Sequence, residues 1–222
     1  MQRGKSTNNL RRSSKNQESR SYFLIVVEGQ ETEYNYFKSL KEELKLPPTT
    51  TIKIAPASGG DPLVIVTEAY KLYQENQEKS KTGNTIKFDQ VFCVFDDDNK
   101  PEKYKKALKA AKEYNFTSIT SIPCFEFWFL LHYCYTTSPF SSYKELSPKL
   151  ETEMRKAAIL KKGETYNKSD KFLYQKLKLN QEKAIDHAIQ LEQKHPNEDG
   201  CTNPSTKVHI LVDKLQKQKN FE

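Results

Sequence analysis

No stretch of this 222-residue chain reaches the 18 or so consecutive apolar residues that a membrane span needs. The N-terminus also lacks the apolar core of a secretory signal. Cysteine is scarce: Cys93, Cys124, Cys134 and Cys201 are the whole set, and no two stand in Cys-x-x-Cys spacing. That argues against a zinc site and against a disulfide framework. These absences exclude a membrane protein and a disulfide-stapled secreted domain. They leave a cytoplasmic protein with reduced thiols as the expectation. What is present, 36% apolar and 29% charged residues, suits one sizeable soluble core.

Charge is unevenly placed. The net charge is +7, and within residues 1–20 six cations, among them Arg11 and Arg12, stand against Glu18 alone, leaving +5 there. The rest of the chain is therefore close to neutral. Residues 1–21 are polar, rich in Ser, Asn and Arg, and without periodicity, which reads as a disordered basic tail. Such a tail serves either as a salt-sensitive arm for a phosphate backbone or as a solubilising leader.

The chain is organised around Phe88–Asp98. Val91–Phe95 is a continuous apolar run, too short for a helix and suited to a strand buried on both faces. Asp96, Asp97 and Asp98 follow without a spacer. A second run, Phe23–Val27, ends in Glu28-Gly29. In open parallel sheets, ligands sit outside the carboxyl ends of the strands. If the two strands are neighbours, Glu28 lies near Asp96 and Asp98. Carboxylates gathered there repel one another, and a hard divalent ion such as Mg²⁺ compensates them most simply.

Around these strands the pattern alternates. A helix over about 31–45 is predicted from Tyr34, Phe37, Leu40 and Leu44, and a strand over 51–55 follows. Asp61 suits the cap and Pro62 the first position of a helix running to about Lys79. The preceding Gly59-Gly60 turn is weak evidence for a phosphate loop. Pro101 opens a helix through Tyr114, and Thr117–Ile122 reads as a fourth strand. The order β-α-β-α-β-α-β predicts an α/β fold with a largely parallel four-stranded sheet.

The most apolar segment, Pro123–Tyr133, contains Glu126. An ionised carboxylate in such surroundings is paired or coordinated, unless it faces water at a helix N-terminus. His132 reads as a hydrogen-bonded core or surface residue rather than a ligand. Beyond Tyr143 helices are predicted over 143–162, 169–179, 181–194 and 206–218, with Ser205 or Thr206 capping the last and no further strand. The organisation expected is a tail over 1–21, an α/β domain over 22–140 and a helical region over 141–222 packed on it. Lys168, in a loop after Tyr166, is either a solvated lysine or a phosphate contact.

Five motifs in order resemble the RloB-like proteins. They are Val27-Glu-Gly-x-x-Thr-Glu33 with Tyr36-Phe37, Asp96-x-Asp98, and Pro123-Cys-Phe-Glu126-x-Trp128 with Leu131-His132. Tyr166-x-Lys168 and Asn203-Pro-Ser-Thr206 with Val208-His209 complete the set. The resemblance covers nearly the whole chain after the tail. It implies a Toprim-like (Rossmann-like) domain, as in topoisomerases, DnaG-type primases and OLD-family nucleases. In that pattern Glu28 is the first-strand glutamate, and Asp96 with Asp98 the later acidic pair, all near Mg²⁺ or Mn²⁺. OLD-type sequences often carry a second acid four residues after the first glutamate. Here that position is Thr32 and the acid is Glu33, about 100° further round the helix, so Glu33, like Glu126, counts either as a metal ligand or as a support behind the ligands.

The activity implied is a Mg²⁺- or Mn²⁺-dependent nuclease acting on DNA or RNA, tRNA included, in a bacterial restriction or anti-phage locus. Glu28, Asp96 and Asp98 are the expected metal ligands, and Glu126 completes the cluster or orients a water. Lys168, Arg11 and Arg12 are the expected nucleic-acid contacts, and Lys168 joins Glu28, Asp96, Asp98 and Glu126 as an expected catalytic residue. The chain carries no ATPase domain, so any ATPase or other defence subunit is a separate chain. The alternative is a non-catalytic nucleic-acid-binding or sensor subunit. A haloacid-type phosphohydrolase would carry its Asp-x-Asp on the first strand, and a phosphoacceptor receiver an acidic pair there. Both are disfavoured.

Overall fold

A computed structural model describes residues 21–97, 100–194 and 202–220. Strands β1 (Ser21–Val27), β2 (Thr50–Pro56), β3 (Gln90–Asp96) and β4 (Thr117–Ile122) form a parallel sheet in the order 2-1-3-4. A fifth strand, β5 (Ser205–Thr206), pairs antiparallel with β4. The α/β architecture and mostly parallel sheet agree with the sequence reading, but among the described residues the sheet has five strands rather than four. The C-terminal third was expected to hold no strand. Ser205 and Thr206 are too short a pair to give a periodic signal, and the Ser121 hydroxyl meets that of Thr206 at 3.0 Å across this junction. Ser21 also belongs to β1 rather than to the tail.

The apolar runs are continuous because both faces of the sheet are covered. Phe23, Ile25, Val27, Phe92 and Val94 enter one core, while Leu24, Val26, Val91, Cys93 and Phe95 enter the other. Successive residues of a strand point to opposite faces, so a strand with two buried faces must be apolar at every position. Burying each such side chain fully stabilises by roughly 1.5–3 kcal/mol. Helices α2 (Pro62–Lys81) and α3 (Pro101–Glu113) cover the second core. Helix α1 (Thr32–Leu44) covers the first, together with α4 (Glu126–Leu131), α5 (Tyr143–Lys156), α6 (Leu173–Leu177), α7 (Gln181–Lys194) and α8 (Val208–Lys217). Residues on both sides of position 140 share this first core, which runs from Phe23 to Leu215. The layered arrangement is Rossmann-like.

Local chemistry sets the helix ends. The Asp61 side chain accepts from the Leu63 N–H at 3.0 Å with Pro62 at the first helical position, as the sequence predicts. Helix α5 stops at Lys156 rather than 162, and α6 begins at Leu173 rather than 169. The intervening loop is held by side chains instead: the Thr32 hydroxyl donates to the Lys168 carbonyl, and the Ser39 hydroxyl to that of Lys171. Helix α8 starts after Lys207, and Thr206 accepts from the Val208 N–H at 3.2 Å. Helix α4 is buried on every side, and Trp128 Nε1 donates to the Tyr36 hydroxyl at 2.9 Å. No helix among the described residues is long and apolar enough to cross a membrane. Cys93, Cys124 and Cys134 are free thiols, and Cys201 lies outside the described residues.

Candidate metal centre

Strands β1 and β3 are neighbours, and the chain order reverses between them. Their carboxyl ends therefore open onto the switch-point crevice where open α/β sheets hold ligands. Glu28 directly follows β1, and Asp96 is the last residue of β3. Glu33 arrives in the first turn of α1, the helix that leaves the same edge. One carboxylate oxygen from each of Glu28, Glu33 and Asp96 lies within 4.8 Å of the others.

Of the two readings of Glu33, ligand or support, the structure places one of its carboxylate oxygens in the close group. Helix α1 begins at Thr32, so Glu33 stands in its first turn. Asp98 lies outside the described residues, as do Arg11 and Arg12.

Position is enforced from several sides. The Phe125 N–H donates to Asp96 Oδ2 at 2.8 Å, which ties the turn after β4 to the end of β3. Gly60 approaches Glu28 so closely that a Cβ would stand 2.5 Å from its Oε1. Opposite them, Glu126 is only 2% exposed and its Oε1 lies 2.9 Å from Lys168 Nζ. The solvated alternative for Glu126 therefore does not hold. The Lys168 ammonium also sits over the Tyr143 ring, 3.9 Å from its centroid. The loop after Tyr166 thus lays its lysine against the acidic crevice.

The electrostatics follow from this crowding. Burial pushes the Glu33 carboxyl up to about 7, and the Glu28 and Glu126 charges add to the shift against its own backbone N–H and Lys168. Asp96 is held well above the usual carboxylate range, first by burial and then by Glu33, Glu28 and Glu126, against the Phe125 N–H. Burial would draw the Lys168 proton off, but Glu126 outweighs it and the ammonium is stabilised. Cys124, beside Glu126 and Asp96, is kept a neutral thiol by burial and by those charges. Carboxylates forced together in a low-dielectric site favour protonation until a cation joins them. Three hard oxygen donors at this separation fit Mg²⁺ or Mn²⁺ rather than a thiophilic metal.

Gly60, weighed in the sequence as a turn and a weak phosphate loop, contributes the space it leaves for Glu28. Thr32 and Cys124 stand in the resemblance motifs without a role assigned to them, and Tyr143 carries no signal of its contact with Lys168. His132 proves to be core, as expected: Nδ1 donates to the Trp128 carbonyl at 2.9 Å, and the ring is fully buried. In the Asn203–Thr206 motif the Asn203 side chain bridges the backbone N–H and C=O of Phe140, a structural duty.

No curated protein and no solved structure matches this chain. The family described as RloB-like protein matches over residues 23–215, from within β1 to within α8. With nearly the whole described fold inside that match, the chain belongs to the RloB-like family.

Proposed function

We propose that this protein is a Mg²⁺- or Mn²⁺-dependent nuclease of the Toprim type that hydrolyses nucleic-acid phosphodiesters, with a role in bacterial anti-phage defence. The observation that carries the reading is the convergence of Glu28, Glu33 and Asp96 within 4.8 Å at the β1/β3 switch point. The order of a first-strand glutamate followed by a later-strand aspartate is that of Toprim sites. The defence role rests on the RloB-like resemblance.

Glu28, Glu33 and Asp96 would hold the ion through their oxygens, with Asp98 the next candidate along the chain. Bound there, the ion supplies Lewis acidity at a phosphoryl oxygen. The remaining work falls to the chain's own residues. Glu126, fixed by Lys168, orients the attacking water and accepts its proton at the carboxylate oxygen. Lys168 keeps its charge beside Glu126 while its side chain remains 45% exposed, so the ammonium can also face a phosphate oxygen. Arg11 and Arg12 would add backbone contacts that carry no sequence information.

Incubation of the purified protein with labelled DNA, total RNA and tRNA, each with Mg²⁺, Mn²⁺ or EDTA, tests the reading. Cleavage of one class that EDTA abolishes is the expected result. No cleavage of any class would move the protein to a non-catalytic binding or sensor role.

A further inference from the structure

Among the described residues, Glu28, Glu33 and Asp96 form the close acidic group, and Glu126 stands beside them with its charge answered by a side chain. We propose that the Lys168 ammonium is a built-in cation in the position that a second metal ion would otherwise take, so that the centre works with one divalent ion and one lysine. This rests on the metal-site reading above.

Four observations carry it. First, Glu126 is 2% exposed, and a carboxylate so deeply desolvated must have a cation or a proton. The 2.9 Å contact to Lys168 supplies the cation from within the chain. Second, Lys168 is not a free surface lysine. Its carbonyl accepts from Thr32, its ammonium lies on the Tyr143 ring, and Tyr166, two residues earlier, is buried in the core. The ammonium is therefore positioned before any substrate arrives. Third, the buried Tyr166 hydroxyl feels the Glu126 charge and has Thr32 as its hydrogen-bonding neighbour. The same Thr32 holds the Lys168 carbonyl, so the wall beside Glu126 and the loop that carries the lysine are tied together. Fourth, charge limits the count. A divalent ion placed on Glu126 would stand next to an ammonium already within hydrogen-bond distance of the same oxygen, and like charges so close in a low-dielectric site repel strongly. Neutralising Lys168 removes that repulsion and leaves a buried carboxylate without a cation.

The test counts bound ions. The whole chain is titrated with Mn²⁺ at pH 8, with free Mn²⁺ followed by electron paramagnetic resonance. Wild type is expected to bind one ion and Asp96→Asn none. Lys168→Met is expected to bind two, and Lys168→Gln, which keeps a hydrogen-bond donor for Glu126, serves should the methionine variant fail to fold. Adding Glu126→Gln to either variant should return the count to one. Two ions on wild type, or one on the folded Lys168 variant, would overturn the inference while leaving the metal centre standing. No ion on wild type would overturn both.

Discussion

Gly60 and Glu28 stand so close that a Cβ on the glycine would fall 2.5 Å from Glu28 Oε1 and 3.3 Å from its Cδ. The turn before α2 therefore serves as a wall for the carboxylate that follows β1. The obstructed atoms are the end of a flexible side chain, so Gly60→Ala should displace Glu28 rather than the backbone. The expected result is a melting temperature close to wild type without metal, and a clearly smaller rise on adding Mn²⁺. Thermal melts with and without the ion check this. A full Mn²⁺ response in the alanine variant would mean that Glu28 does not hold the ion.

The raised Glu33 carboxyl makes metal-free stability depend on pH with a definite sign. Its folded value, about 7, lies above the unfolded 4.5. Its contribution is therefore fully present below pH 4.5 and is lost as pH rises through 7, by on the order of 2–3 kcal/mol. Glu33→Gln should flatten this part of the profile and make the metal-free protein more stable at pH 8. Saturating Mn²⁺ should remove the loss in wild type, because the ion binds the deprotonated carboxylates. Urea unfolding across pH 4.5–8 measures all three curves. A Glu33→Gln profile parallel to wild type would place Glu33 outside the cluster.

His132 acts in the opposite direction. Burial lowers its pKa from 6.5 to about 4, with the Trp128 and Phe129 carbonyls opposing and His187 reinforcing the shift. The stability it contributes is complete above pH 6.5 and is lost as pH falls through 4, by about 3 kcal/mol. Its ring signals in NMR should show neutral imidazole at pH 5. An imidazolium there would contradict the burial that the fold assigns to it.

Arg11 and Arg12 lie outside the described residues, but their charge makes a quantitative test. If both contact phosphates, replacing them with alanine should reduce the salt slope of duplex DNA binding by about 1.8 in log units per log unit. An unchanged slope would return the tail to a solubilising role.

The four parallel strands were legible because they rest on local signals, and the nearness of Glu28 to Asp96 followed on the condition, met in the structure, that β1 and β3 are neighbours. Continuous apolar runs mark strands buried on both faces, and acids at their ends mark the sheet edge. What was not legible depends on approach between distant segments. Lys168 reaches Glu126 only because Thr32 and Ser39 tie its loop to α1. Ser205 and Thr206 become a strand only because β4 offers them an edge. Whether Glu33 reaches the group depends on how the start of α1 is set against the sheet edge, which no local signal in the chain fixes.

Asp96 concentrates the account, since it ends β3, touches the Phe125 N–H and shares the acidic group with Glu28 and Glu33. The most direct measurement compares wild type with Asp96→Asn for Mn²⁺-dependent cleavage of the responsive nucleic acid, with melting curves of both proteins run in parallel. Removing one of the mutually repelling carboxylates should leave the metal-free melting temperature unchanged or higher, since the Asn side chain still accepts from Phe125. It should also lower cleavage by more than about 100-fold and abolish the Mn²⁺ shift. An Asp96→Asn protein that melts lower, keeps its Mn²⁺ response and cleaves at the wild-type rate would contradict the metal centre.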